Sequence, residues 1–215
     1  MIRKILHTIF TKFSSAGLGF LTIILISQIL GVEAKGEQAI MVYNINLLLM
    51  LFTLIGNSTL IYLTPRKDFS NLIIPSFLWI VITAILVSLF FPNICVLIAV
   101  LAAISEINQF LLLGKQKISQ ANILKLIYPL VSFSYILILW LFNRFTSVED
   151  FITAMLIAYI VSFFYGIFAL RNEYKNLKLI SKQELTSSFK TLFSLGVTKQ
   201  IGYIAQSMNY RLCFY

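Results

Sequence analysis

The sequence predicts an all-α fold: a polytopic membrane helical bundle of six helices, followed by the start of a seventh. Three observations carry this. Of 215 residues, 59% are hydrophobic and only 12% are charged, against roughly 45–50% and about 25% in an ordinary globular domain. Six apolar windows are each long enough to cross a bilayer core, which needs about 20 helical residues. The Lys and Arg residues also segregate along the chain as cytoplasmic loops require. A soluble enzyme, a nucleic-acid-binding domain and a disordered tail are all disfavoured.

The six windows are residues 13–31, 39–63, 72–91, 94–113, 123–142 and 151–170. None shows the strict alternation of a barrel strand, so each is read as a helix. Arg3-Lys4, the first apolar run and Val32-Glu33-Ala34 loosely imitate a cleavable signal peptide. The run is long for one and Glu33 sits in the supposed cleavage site, so a retained first helix is expected. Pro92-Asn93 is nearly the whole third connection, which makes the third and fourth spans a tight antiparallel hairpin. Ser15/Gly19 and Ala99/Ala103 have small-xxx-small spacing, expected to bring helices close together. Glu149-Asp150 reads as a solvated helix start, with Asp150 a possible cap for the sixth helix. Residues 171–190 form the one sizeable hydrophilic segment, an expected cytoplasmic linker between a bundle over 1–170 and whatever 191–215 begins. The seventh window opens near Phe189 and is still running at Tyr215.

With the N-terminus inside, one face collects 13 of the 17 Lys and Arg residues: Arg3, Lys4, Lys12, Arg66, Lys67, Lys115, Lys117, Lys125, Arg171, Lys175, Lys178, Lys182 and Lys190. The other face has Lys35 and Arg144, each beside acids, while Lys199 and Arg211 fall in the seventh window. The net charge of +9 is thereby read as cytoplasmic-loop bias, with no nucleic-acid partner. Cys95 and Cys213 form no CxxC pair, and His7 is the lone histidine, so no metal centre is indicated.

Polar residues at membrane depth are costly, so their angular placement carries information. Asn46, Thr53 and Asn57 fall at i, i+7 and i+11, one face of a continuous second helix. Ser14 and Gln28 share a face of the first with Leu21. Ser105, Glu106, Asn108 and Gln109 cluster in the fourth, and Glu106 is the one acid inside the six spans. Lys199, Tyr203, Gln206 and Tyr210 form another stripe. Such stripes suit a bundle around a hydrophilic cavity, although interhelical bonding alone would also place polar groups there. An ionised Glu106 would need water, a cation or a proton. No Asp-rich magnesium motif, HExxH or GxSxG occurs, and the outer loops are short, so no enzyme and no cofactor are expected.

The stretch Phe20-Leu21-Thr22-Ile23-Ile24-Leu25-Ile26-Ser27-Gln28-Ile29-Leu30-Gly31, followed by Gly36, resembles the first helix and loop of polysaccharide flippases. Leu54-Ile55-Gly56-Asn57-Ser58-Thr59-Leu60-Ile61-Tyr62 is similar to the end of their second helix, and Asn209-Tyr210-Arg211-Leu212 to the start of their second lobe. These are the O-antigen and capsule repeat-unit flippases of the MATE-like exporter superfamily. The resemblance implies two six-helix lobes around a cavity that opens alternately to either side of the inner membrane. It also implies a substrate, an undecaprenyl-diphosphate-linked oligosaccharide. Lys12, Lys199 and Arg211 would suit the diphosphate; Gln28, Asn46 and Asn57 would suit sugar hydroxyls. Arg211 lies 12 residues beyond Lys199, about 18 Å deeper along a helix, and would face the cavity or Glu106. Glu106 is the candidate for ion coupling.

Thr-Lys begins both the first and the seventh helix, an echo between pseudo-equivalent positions. The family usually places Asp two residues after the Arg of Asn-Tyr-Arg; here Cys213 stands there, and no carboxylate is assigned. A second lobe or second chain is needed to close the cavity, and a fragment of a longer transporter is favoured over a half-transporter. A drug or ion antiporter of the same superfamily, a membrane glycosyltransferase or polymerase, and a non-transporting membrane scaffold are the competing readings.

Overall fold

The computed structural model describes the backbone of residues 2–212 and the side chains of residues 5–202. The chain runs α1 (Ile2–Ile29), α2 (Val32–Phe52), α3 (Thr59–Leu63), α4 (Phe69–Val87), α5 (Asn93–Gly114), α6 (Ile118–Leu141), α7 (Val148–Ala169), α8 (Arg171–Lys175) and α9 (Lys182–Leu212), with no strand among the described residues. Five helices are long and apolar enough to cross a membrane: Ile5–Ile29 within α1, and α4, α5, α6 and α7. A multi-pass membrane protein follows from this. The window missing from the five is the second, 39–63. It divides into α2, an irregular segment at 53–58, and α3. The expectation of one continuous second helix is therefore corrected, and with it the single face joining Asn46, Thr53 and Asn57.

Local sequence sets most of the other boundaries. Asp150 Oδ2 accepts from the Thr146 N–H (2.9 Å), the Ser147 N–H (3.1 Å) and the Ser147 hydroxyl (3.3 Å), so it does cap α7, from the third helical position. Ser181 and Glu184 repeat the arrangement at the start of α9. Glu184 accepts the Ser181 N–H at 2.9 Å, and the Ser181 hydroxyl lies 3.2 Å from the Glu184 N–H. α5 and α6 end in the left-handed residues Gln116 (φ 58°) and Asn143 (φ 52°). Each is followed by a residue whose N–H reaches back five positions: Lys117 to Leu112 at 2.9 Å, Arg144 to Leu139 at 2.8 Å. Hydroxyls inside the spans are hidden by donating one turn back, as Ser76 does to Leu72, Ser105 to Leu101 and Ser162 to Ala158. Without water this is the cheapest way to keep a hydroxyl satisfied.

α5 is the centre of the bundle, packing against α2, α3, α4, α6 and α7. α1 lies outside, resting on α6, and α9 lies across α3 and α4. Ala99 and Ala103 are fully buried on α5, so that small-residue pair does sit at helix contacts. Ser15/Gly19 differs: nothing approaches within 4 Å of a Cβ built at Gly19. α9 begins at Lys182 and runs through residue 190 without interruption, so only 176–181 of the hydrophilic segment is free of helix.

Candidate functional site

The segment between α2 and α3 reads Thr53-Leu54-Ile55-Gly56-Asn57-Ser58. Gly, Asn and Ser are poor helix formers. Asn57 offers its own side chain in place of helical bonding: its Oδ1 accepts the Thr59 N–H at 3.0 Å and starts α3. Gly56 lets the chain come close to α5, because a Cβ there would lie 2.5 Å from Ile107.

A helix that stops in lipid leaves carbonyls without partners, which hydrocarbon does not tolerate. Here other elements supply the donors. Trp79 Nε1 of α4 donates to the Leu51 carbonyl at 2.9 Å, and Gln200 Nε2 of α9 donates to that of Met50 at 3.2 Å. The Thr53 N–H and hydroxyl both take the Leu49 carbonyl, at 2.9 and 2.8 Å. On the far side, Asn57 Nδ2 donates to the Leu54 carbonyl (3.3 Å) and to that of Gly196 (3.2 Å). α9 approaches so closely that a Cβ on Gly196 would collide with the Leu54 carbonyl oxygen.

Beside the interruption lies a cavity of about 370 Å³, lined by Leu49, Met50, Thr53, Asn57, Glu106, Phe110 and Gln200. Glu106 reaches it from α5, eight residues before Gly114 and so about 12 Å from that end of the helix. The one ion pair among the described residues is Lys115–Glu173 at 2.7 Å, and none involves Glu106. A half-buried carboxylate beside amide and hydroxyl groups, in a space large enough for several waters, can hold a proton or a small cation.

Of the expected site residues, Asn57 and Glu106 come together at this cavity. Asn57 is 3% exposed and its amide is spent on three hydrogen bonds, so it holds the interruption in shape. Lys12, Gln28, Asn46 and Lys199 are exposed on α1, α2 and α9, and none of them lines the cavity. Arg211, with the stripe through Tyr203, Gln206 and Tyr210, lies outside the residues whose side chains are described.

Two functional contacts were not foreseen. Gln200, the neighbour of Lys199, is the α9 residue turned into the cavity. Its spacing of four from Gly196 is the signal that could have revealed it, since both then share the face meeting the interruption. Asn108, two residues from Glu106 toward Gly114, is fully buried: its Oδ1 accepts the Tyr174 hydroxyl at 2.7 Å, while its Nδ2 has no partner. That bond ties α8 back onto α5, and burial pushes the Tyr174 phenol above its ordinary pKa. No protein-family model, curated protein or solved structure matches this chain.

Proposed function

We propose that this chain is the N-terminal lobe of an inner-membrane transporter that flips lipid-linked oligosaccharide repeat units for surface polysaccharide synthesis. The N-terminus would lie in the cytoplasm. The observation that carries a transport reading is an acidic side chain lining a cavity at an interrupted helix. Interrupted helices inside a bilayer are tolerated where backbone is buried in protein or lines a cavity, and in transporters they form substrate and ion sites. An intramembrane carboxylate points the same way. Glu106 would couple the movement to a proton or cation. Gln28 and Asn46, exposed on α1 and α2, would face sugar hydroxyls, and Lys12, Lys199 and Arg211 the diphosphate. A second lobe or second chain would close the cavity. The choice of an oligosaccharide over a drug or ion rests on the sequence resemblance.

In cells producing the complete transporter, Glu106→Gln should abolish most polymer export and leave membrane abundance unchanged. Lipid-linked repeat units should accumulate on the cytoplasmic leaflet. An unchanged lipid-linked pool, with altered drug or cation resistance, would replace this reading with the antiporter. Arg211→Lys should lose most export and Arg211→Ala more, since ammonium does not reproduce the bidentate fork of guanidinium. Reporters fused at Pro92 and Ser147 should report outside, and those at Asp68, Lys117 and Lys178 inside; a cytoplasmic signal at Pro92 would overturn the orientation.

A further inference from the structure

The polar groups of the cavity beside the interruption have spent their donors and kept their acceptors. The Thr53 hydroxyl donates to the Leu49 carbonyl at 2.8 Å. Asn57 Nδ2 donates to the carbonyls of Leu54 and Gly196 at 3.3 and 3.2 Å, and Gln200 Nε2 is turned to that of Met50 at 3.2 Å. Thr53 Oγ1 thereby keeps its lone pairs, and Gln200 Oε1 accepts from no group among the described residues. Glu106 accepts no hydrogen bond among the described residues and forms no ion pair with Lys125 of α6 or any other cation there. No Lys or Arg lines the cavity.

A carboxylate at membrane depth with neither a donor nor a cation beside it is costly. The unspent groups around it are oxygens, the ligand chemistry of a hard metal cation. They also come from different elements: Glu106 from α5, Thr53 from the interruption and Gln200 from α9. One carboxylate carries one charge. A monovalent ion cancels it, whereas a divalent ion would leave net positive charge in a space of low dielectric.

We propose that this cavity is a binding site for a monovalent alkali cation, held by the Glu106 carboxylate, Thr53 Oγ1 and Gln200 Oε1. Bound there, the ion ties α9 to α5 across the interruption, so that ion occupancy and the attachment of α9 are linked. The inference rests on the reading of Glu106 as the coupling group and narrows it from a proton or a cation to a metal ion. Gln200 is then the residue through which α9 senses the ion.

The full chain in detergent is compared in sodium, potassium and choline chloride at equal ionic strength, with backbone hydrogen exchange as the readout. Sodium or potassium should protect the amides of 53–58 and of α9 around Gly196 together and saturably, about tenfold when the ion stands at ten times its Kd. Exchange in α1, which does not line the cavity, should not change. Glu106→Gln keeps the size of the side chain and should exchange alike in all three salts. Thr53→Val removes one ligand oxygen and should raise the concentration for half-protection several-fold, which keeps the test decisive if Glu106→Gln fails to fold. No difference between the alkali and choline salts in the unaltered chain would overturn the proposal, because a proton or Lys125 then balances Glu106. So would protection of 53–58 without α9, a Glu106→Gln chain that still responds, or stronger protection by calcium chloride at the same ionic strength. These outcomes leave the transport reading to its own test, since the lipid-linked pool responds to Glu106→Gln whether a proton or a metal ion is coupled.

Discussion

α1 and α5 are both long, apolar helices fit to cross a membrane, yet their surroundings are opposite. Of the most apolar window, 56% of α5 is buried inside the protein and only 11% of α1. α5 touches five other helices and carries Ile98, Ala99, Ala103, Ile107 and Leu111, all fully buried. α1 rests on α6 and leaves Phe10, Phe13, Phe20 and Ile23 exposed. In water such a face would be driven inward. In lipid an exposed Phe is not penalised, and helix association depends on packing and hydrogen bonding instead. Apolarity therefore says which helices enter the bilayer and leaves open which of them form the core.

The sharpest way to break the comparison is a single methyl group. Gly196→Ala would drive a Cβ into the Leu54 carbonyl and separate α9 from the interrupted segment beside α5. A loss of about 1–3 kcal/mol is expected, read as a lower unfolding midpoint in detergent. Gly19→Ala, on the open face of α1, should leave the midpoint unchanged or slightly raised. Equal losses would mean that α1 is packed as tightly as the centre.

Asparagines give the next contrast. Asn57→Ala removes an amide that serves three backbone groups, and should cost about 1–3 kcal/mol through the groups left unpaired. Faster hydrogen exchange at the Thr59 amide would mark the site. Asn46→Ala, exposed on α2, should be neutral for stability. Were the two equal, the interruption would not depend on Asn57.

A smaller effect is expected from Trp79→Phe, which keeps the aromatic packing and removes the hydrogen bond to Leu51. About 1 kcal/mol should be lost, seen in the same melting measurement. No change would mean that the Leu54 N–H, 3.3 Å from the same carbonyl, suffices to satisfy it.

The smallest effect is electrostatic and lies outside the bundle. Glu184 is held below the usual carboxylate range by Ser181. A depressed folded pKa contributes stability above the ordinary carboxylate value and loses it as pH falls through the folded one. Amide exchange in the first turn of α9 should therefore accelerate under acid conditions, with no matching change in α5. Glu184→Gln should remove that pH dependence.

Much of the architecture was legible residue by residue. Asp150 announced a helix start because a cap acts within four residues, and the structure uses it so. α4 and α5, expected to pair across a short connection, do pack against each other, with five residues, 88–92, between them. The site was less legible. Glu106 stood out as an acid among apolar residues, and it does line a cavity. Asn57 was read as a substrate contact on a continuous helix, whereas it shapes an interruption. Gln200 passed unnoticed because its partner carbonyl, on Met50, is 150 positions away.

Composition and local spacing by themselves determined that the chain is an all-helical, multi-pass membrane protein, where five of its apolar spans fall, and how several helices begin. These depend on burial in hydrocarbon and on bonds within one or two turns. The tertiary structure decided that the second apolar window is interrupted at 53–58, that α5 is the centre, and that Glu106 opens onto a cavity. The physical reason is the same throughout. A helix broken in a bilayer needs partners for its freed carbonyls, and here local groups at Thr53, Leu54 and Asn57 share that task with distant side chains of α4 and α9.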